Sequence, residues 1–102
     1  MIKLTHPGEI LRSEYLAPAG LKAADLARAT GLSTGRISEI LNGKRDITAE
    51  IALRLERATS VSAKLWLGLQ NDFDLQSIGK SKAGLIRSQT SKLPAVEAFL
   101  QH

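Results

Sequence analysis

The 102-residue chain contains no cysteine, which excludes disulfides and thiolate metal sites and gives no reason to invoke an oxidising compartment. Aromatic residues are almost as scarce. Tyr15, Trp66, Phe73 and Phe99 make up 4% of the sequence, so a core has to be built from Leu, Ile and Ala, a mixture that favours helix over sheet. Long apolar runs are missing near the start, where Lys3, His6, Glu9, Arg12 and Glu14 interrupt any signal peptide or membrane span, and the expected location is cytoplasmic. Histidine is limited to His6 and His102, at opposite ends of the chain and without ligand spacing, so no metal or other cofactor is expected. No serine stands beside a candidate His and Asp, and there is no glycine-rich phosphate loop. Asp72 and Asp74 share a helix but point in different directions. Nothing here predicts an enzyme or a small-molecule substrate.

What is present is ordinary for one folded domain: 43% hydrophobic and 24% charged residues. The net charge of +4 hints at a polyanionic partner, and its distribution says more than its sum. The basic excess sits in the middle third and in a late polar stretch, where Lys80, Lys82, Arg87 and Lys92 face no acidic residue between positions 76 and 92.

Punctuation divides the first three quarters into short helices. Pro7 suits a first helical position, with His6 as its cap, and the helix runs to about Leu16 and Ala17 before Pro18 and Gly20 stop it. A second helix is expected over Ala23–Ala29, with Gly31 as a left-handed C-terminal cap, and a third over Thr34–Leu41 between Ser33 and Asn42-Gly43. Thr48 can cap a fourth over Ala49–Ala58, and Ser62 a fifth over Ala63–Leu75. The fifth is apolar at Leu65, Trp66, Leu67, Leu69 and Phe73, more than one stripe against a small core absorbs, which points to a partner surface. Gln76 to Lys92 reads as mobile, with a short helical turn near Ala83–Arg87, and Pro94 opens a final apolar stripe at Val96, Phe99 and Leu100.

One spacing carries functional information. Leu26-Ala27, Gly31, Leu32, Ser33, Ile37 and Ile40 describe two short helices crossing steeply, with Ala27 permitting close approach and Gly31 turning the corner: a helix-turn-helix. With Ile37, Ile40 and Leu41 inward, the opposite face of the third helix presents Gly35, Arg36, Ser38, Glu39 and Asn42, while Ser33 and Thr34 stand at its amino end. These are short or polar groups suited to a groove floor. Ser33 is first an N-cap, and Asn42 is first a helix stop. Arg36 is either a solvated charge or a guanine contact, and Glu39 either accepts from a cytosine amino group or repels wrong sequences. Lys44 and Arg45 are placed for phosphates.

The strings HPGEILRSEYLAP at 6–18, RISEILNGKRDIT at 36–48, ALRLERA at 52–58 and LWLGLQNDFDL at 65–75 together resemble the HigA family of antitoxins, which carry a lambda-repressor-like helix-turn-helix. The resemblance covers about residues 4–75. It implies an all-α, five-helix domain over residues 1–75 that binds DNA and forms a homodimer, followed by a basic extension over 76–102 with room for a short helix. It also implies a non-enzymatic role in two parts: neutralising a HigB-like mRNA-cleaving toxin and binding operator double-stranded DNA to repress the shared operon. Trp66, Leu69 and Phe73 are the dimer contacts it implies, and Ser33, Thr34, Arg36, Ser38 and Glu39 the recognition positions. One departure stands out, because Lys22-Ala23 replaces the Ser-Gln that caps the second helix in related domains, so that cap is expected to be lost. Two other readings are compatible with the residues: a toxin-binding module that no longer represses, and a stand-alone phage-type regulator. The late basic segment with Phe99 and Leu100 is a candidate toxin contact, or simply a flexible tail.

Overall fold

The helices that follow His6, Ser33, Thr48 and Ser62 begin where that side chain takes up a backbone N–H that the first turn leaves without a partner. In the computed structural model, which describes residues 5–101, α1 (Pro7–Ile10) starts at His6, whose Nδ1 accepts from the Gly8 N–H at 2.9 Å. It passes directly into a π-helical segment, Leu11–Leu16, closed by the Ala17 N–H on the Arg12 carbonyl. Helices α2 (Ala23–Thr30) and α3 (Thr34–Leu41) flank Gly31, which sits at φ 75° as the turn requires. The Ser33 hydroxyl accepts from the Arg36 N–H and opens α3. Thr48 and Ser62 do the same for α4 (Ala49–Thr59) and α5 (Ala63–Gln89), and α6 (Pro94–Leu100) begins at Pro94. Among the described residues there is no strand.

One expectation holds and one needs correction. Lys22 gives α2 no side-chain cap, as expected, while the Asp25 carboxylate accepts from the Lys22 N–H at 2.8 Å, the return half of a capping box. The segment expected to be mobile is helical as far as Gln89, so α5 crosses position 75 without a break. Between Ala63 and Leu93 there is no proline, and Ala, Leu, Lys, Arg and Gln outweigh the local cost of Gly79 and Gly84. A helix of 27 residues is roughly 40 Å long. It draws the molecule out to 53 × 28 × 25 Å and the radius of gyration to 17.6 Å, against about 13 Å for a compact chain of this length.

The buried aliphatic and aromatic residues run from Leu11 to Trp66, and Ile37, Ile40, Leu55 and Trp66 are completely enclosed. Trp66 meets Tyr15 edge-on at 5.4 Å. It is therefore a core residue, and its expected share of a dimer contact is corrected: it has no surface of its own to offer a second copy. From Ile78 to Gln101 every side chain is exposed.

The tightest junction is between α1 and α3. A Cβ on Gly8 would fall 1.7 Å from the Ile40 carbonyl oxygen, so only glycine lets the two backbones meet. His6, buried beside it, packs its ring edge-on against Phe73 at 5.0 Å and lies beneath Gly43. Burial lowers the His6 pKa below its ordinary value, with Asp46, Glu9 and Asp74 opposing the shift. The neutral form is the one that caps, since protonation would put a hydrogen on Nδ1 against the Gly8 N–H.

Gly8→Ala should lower unfolding free energy by about 3 kcal/mol in urea denaturation. Gly35→Ala, where an added Cβ meets nothing, should leave it unchanged or raise it by up to about 1 kcal/mol. Because the folded pKa of His6 is depressed, its contribution to stability is complete above the unfolded value near 6.5 and is lost as pH falls through the folded pKa. The urea midpoint of the wild type should fall more steeply from pH 7 to pH 5 than that of His6→Asn, which keeps an acceptor but does not titrate; equal slopes would remove His6 from this role.

Candidate nucleic-acid interface

α2 and α3 pack through Leu26, Ala27, Ile37 and Ile40, which fixes which side of α3 faces outward. Ser33, Thr34, Gly35, Arg36, Glu39, Asn42 and Lys44 are exposed, and Ser38 and Arg45 are half-buried. The residues read from the sequence as a recognition surface thus lie on one continuous side of α3 and the turn after it, uncovered by any of the described residues.

Their electrostatics are uneven. Glu39 accepts from the Arg45 guanidinium at 3.2 Å, so these two partly neutralise each other, and the Arg45 Nε is buried without a hydrogen-bond partner among the described residues. Arg36 and Lys44 have no ion-pair partner among the described residues, which leaves them as the free cations of this face. Asn42 closes α3, and its Oδ1 accepts from Arg12, thirty positions earlier in the chain. The amide is thereby turned so that its N–H groups are the ones left to donate.

Two residues that the sequence reading missed hold this surface in place. Arg12 is one, reaching from the π segment to the end of α3. Gln70 is the other: it is buried, its Oε1 accepts from the Ile47 N–H at 2.8 Å, and its Nε2 donates to Asp46 at 3.3 Å and Asp74 at 3.0 Å. It ties the loop bearing Lys44 and Arg45 to α5. It is the first of three polar residues, Gln70, Asn71 and Asp72, between Leu69 and Phe73, and spacing alone does not single it out.

Leu69 and Phe73 are half-buried and border a depression of about 410 Å3 that Ile10, Ser13 and Gln76 also line. They keep surface that a partner could cover, unlike Trp66 behind them. Lys3 and His102, weighed above as a break in an apolar run and as a potential ligand, lie outside the described residues. Among the described residues no group of three or more His, Cys, Asp or Glu side chains could hold a metal, and no helix is long and apolar enough to cross a membrane.

The helix-turn-helix family signature matches residues 13–66. "Virulence-associated protein I" of Dichelobacter nodosus is 48% identical over 80 residues, covering 78% of this chain and 74% of its own. The solved structure of the antitoxin GraA superimposes with a TM-score of 0.86 at 35% identity, over 91% of this chain and 100% of that one. The Pseudomonas aeruginosa antitoxin HigA, solved with the higBA promoter, gives a TM-score of 0.83 at 34% identity, over 89% and 99% of the two chains. The chain belongs to the helix-turn-helix family, within its HigA-like antitoxins, a non-enzymatic group.

Gln70→Ala should cost about 2 kcal/mol or more in chemical denaturation, because the buried Ile47 N–H loses its acceptor. A loss below about 0.5 kcal/mol would show that the loop is held by other means.

Proposed function

We propose that this protein is a cytoplasmic antitoxin and autorepressor: a homodimer that binds operator DNA and neutralises a HigB-like mRNA-cleaving toxin. The observation that carries the DNA half is the outer face of α3, polar from Ser33 to Asn42, anchored beneath by Ile37 and Ile40, and left uncovered by the described residues. The relative GraA has been solved in complex with its operator, and the HigA structure contains a promoter, which supports the same use of α3 here.

In this reading Arg36 contacts a base edge at the first turn of the recognition helix, with Ser33, Thr34, Ser38, Glu39 and Asn42 around it. Lys44 and Arg45 meet the phosphate backbone. Leu69 and Phe73 contribute to the dimer contact, with Trp66 acting from the core beneath them. Two α3 helices would then enter successive major grooves about 34 Å apart on an inverted repeat. Residues 1–75 form the DNA-binding and dimerisation part, and the exposed extension over 76–102 is available to the toxin.

A mobility shift with the DNA upstream of the gene, run beside a scrambled duplex at near-physiological salt, tests the reading. A specific complex at submicromolar dimer is expected, and its absence at micromolar dimer would overturn repression. Arg36→Ala should lose roughly 1–3 kcal/mol on operator and relax preference at one base position. Lys44→Ala should weaken operator and scrambled DNA alike and reduce the salt slope by about one. Equal losses on both duplexes for Arg36→Ala would defeat its assignment.

A further inference from the structure

Arg12 has more donors than its one tie to the fold, the bond to Asn42, engages. Its side chain is exposed, contributes nothing to the core, and has no carboxylate partner among the described residues. Of its guanidinium N–H groups, one is engaged by the neutral Asn42 Oδ1, at the very end of α3. A groove of about 240 Å3 opens at this point between the π segment, the start of α2 and α3, with Arg12, Lys22, Ser38 and Asn42 around it and Leu16 and Leu41 lining it. It holds two cations and no acidic residue.

Asp25 already occupies the Lys22 N–H, so that group is not available to an anion. An anion here would be held by side chains, Arg12 and Lys22 on one margin and the Asn42 amide and Ser38 hydroxyl on the other. Ser38 and Asn42 belong to the outer face of α3, so the anion would lie along the edge of whatever α3 enters. For a helix in the major groove, that edge is the sugar-phosphate backbone.

We infer that Arg12 is a further DNA contact: it binds a backbone phosphate seated in this groove and, through Asn42, sets the end of α3 relative to that strand. The inference rests on the operator-binding reading above. The planar guanidinium can engage Asn42 and a phosphate oxygen together through separate N–H groups, which a lysine ammonium does with poorer geometry.

The test is DNA affinity as a function of salt for wild type, Arg12→Gln and Arg12→Lys, on the upstream duplex and on random duplex at low salt, with thermal melts as the folding control. Arg12→Gln should bind both duplexes roughly tenfold more weakly at about 0.1 M salt and lower the log–log salt slope by about one. Arg12→Lys should keep the slope and recover only part of the affinity. An unchanged slope for Arg12→Gln overturns the inference, including the case in which operator affinity alone falls, since that would be a structural effect passed through Asn42. If Arg12→Gln melts well below wild type, the Arg12→Lys comparison decides: full recovery of affinity would rule out use of the guanidinium fork. Failure of the wild type to select its upstream DNA would instead sink the operator reading, while the random duplex would still report on the phosphate contact.

Discussion

An eight-residue helix is not stable alone in water, so α3 exists only because the rest of the molecule holds it. Ile37 and Ile40 are sealed beneath it with no exposed surface, and fully burying two such side chains contributes roughly 3–6 kcal/mol. The outer face is then free to be chosen for chemistry. This explains why it can include Thr34, Gly35 and Ser38, which are weak helix formers, beside Arg36 and Glu39.

Support at the far end of α3 converges from distant parts of the chain. Gly8 brings the first helix onto the Ile40 carbonyl, His6 fills the space under Gly43, Arg12 meets Asn42, and Gln70 takes the Ile47 N–H. The amino end needs less, because Ser33 and Gly31 settle it locally. The two ends of the same helix are thus secured by different physics: a cap and a turn at the start, and tertiary contacts at the finish.

That asymmetry decides how much could be read in the sequence. Caps and left-handed glycines act over three or four residues, so Ser33, Thr48, Ser62, His6 and Gly31 announced the helix starts and the central turn. Asp25 also acts locally, yet it was missed because a carboxylate three residues on can replace a cap usually sought at the position before the helix. Arg12 and Gln70 act across 30 and 23 residues, and no spacing rule connects them to Asn42 or Ile47. Trp66 was misplaced for a related reason. Its run is apolar on several sides, and which side faces the core depends on Tyr15 and α4, not on periodicity within α5.

α5 shows the limit from the other direction. Its first part, with Trp66 and Gln70, is core, whereas from Ile78 onward every described residue is exposed, so the two halves of one helix obey different constraints. An apolar stripe marks the first half and stops, because the second half has Leu75, Ile78, Leu85 and Ile86 but nothing among the described residues to cover them. Local propensity carries the helix on, while Gly79 and Gly84 each cost about 1 kcal/mol relative to Ala. This half therefore gains little from the chain's own packing and rests on local propensity. Since α5 is continuous, it extends as a rod whose base, through Gln70, holds the loop of Lys44 and Arg45.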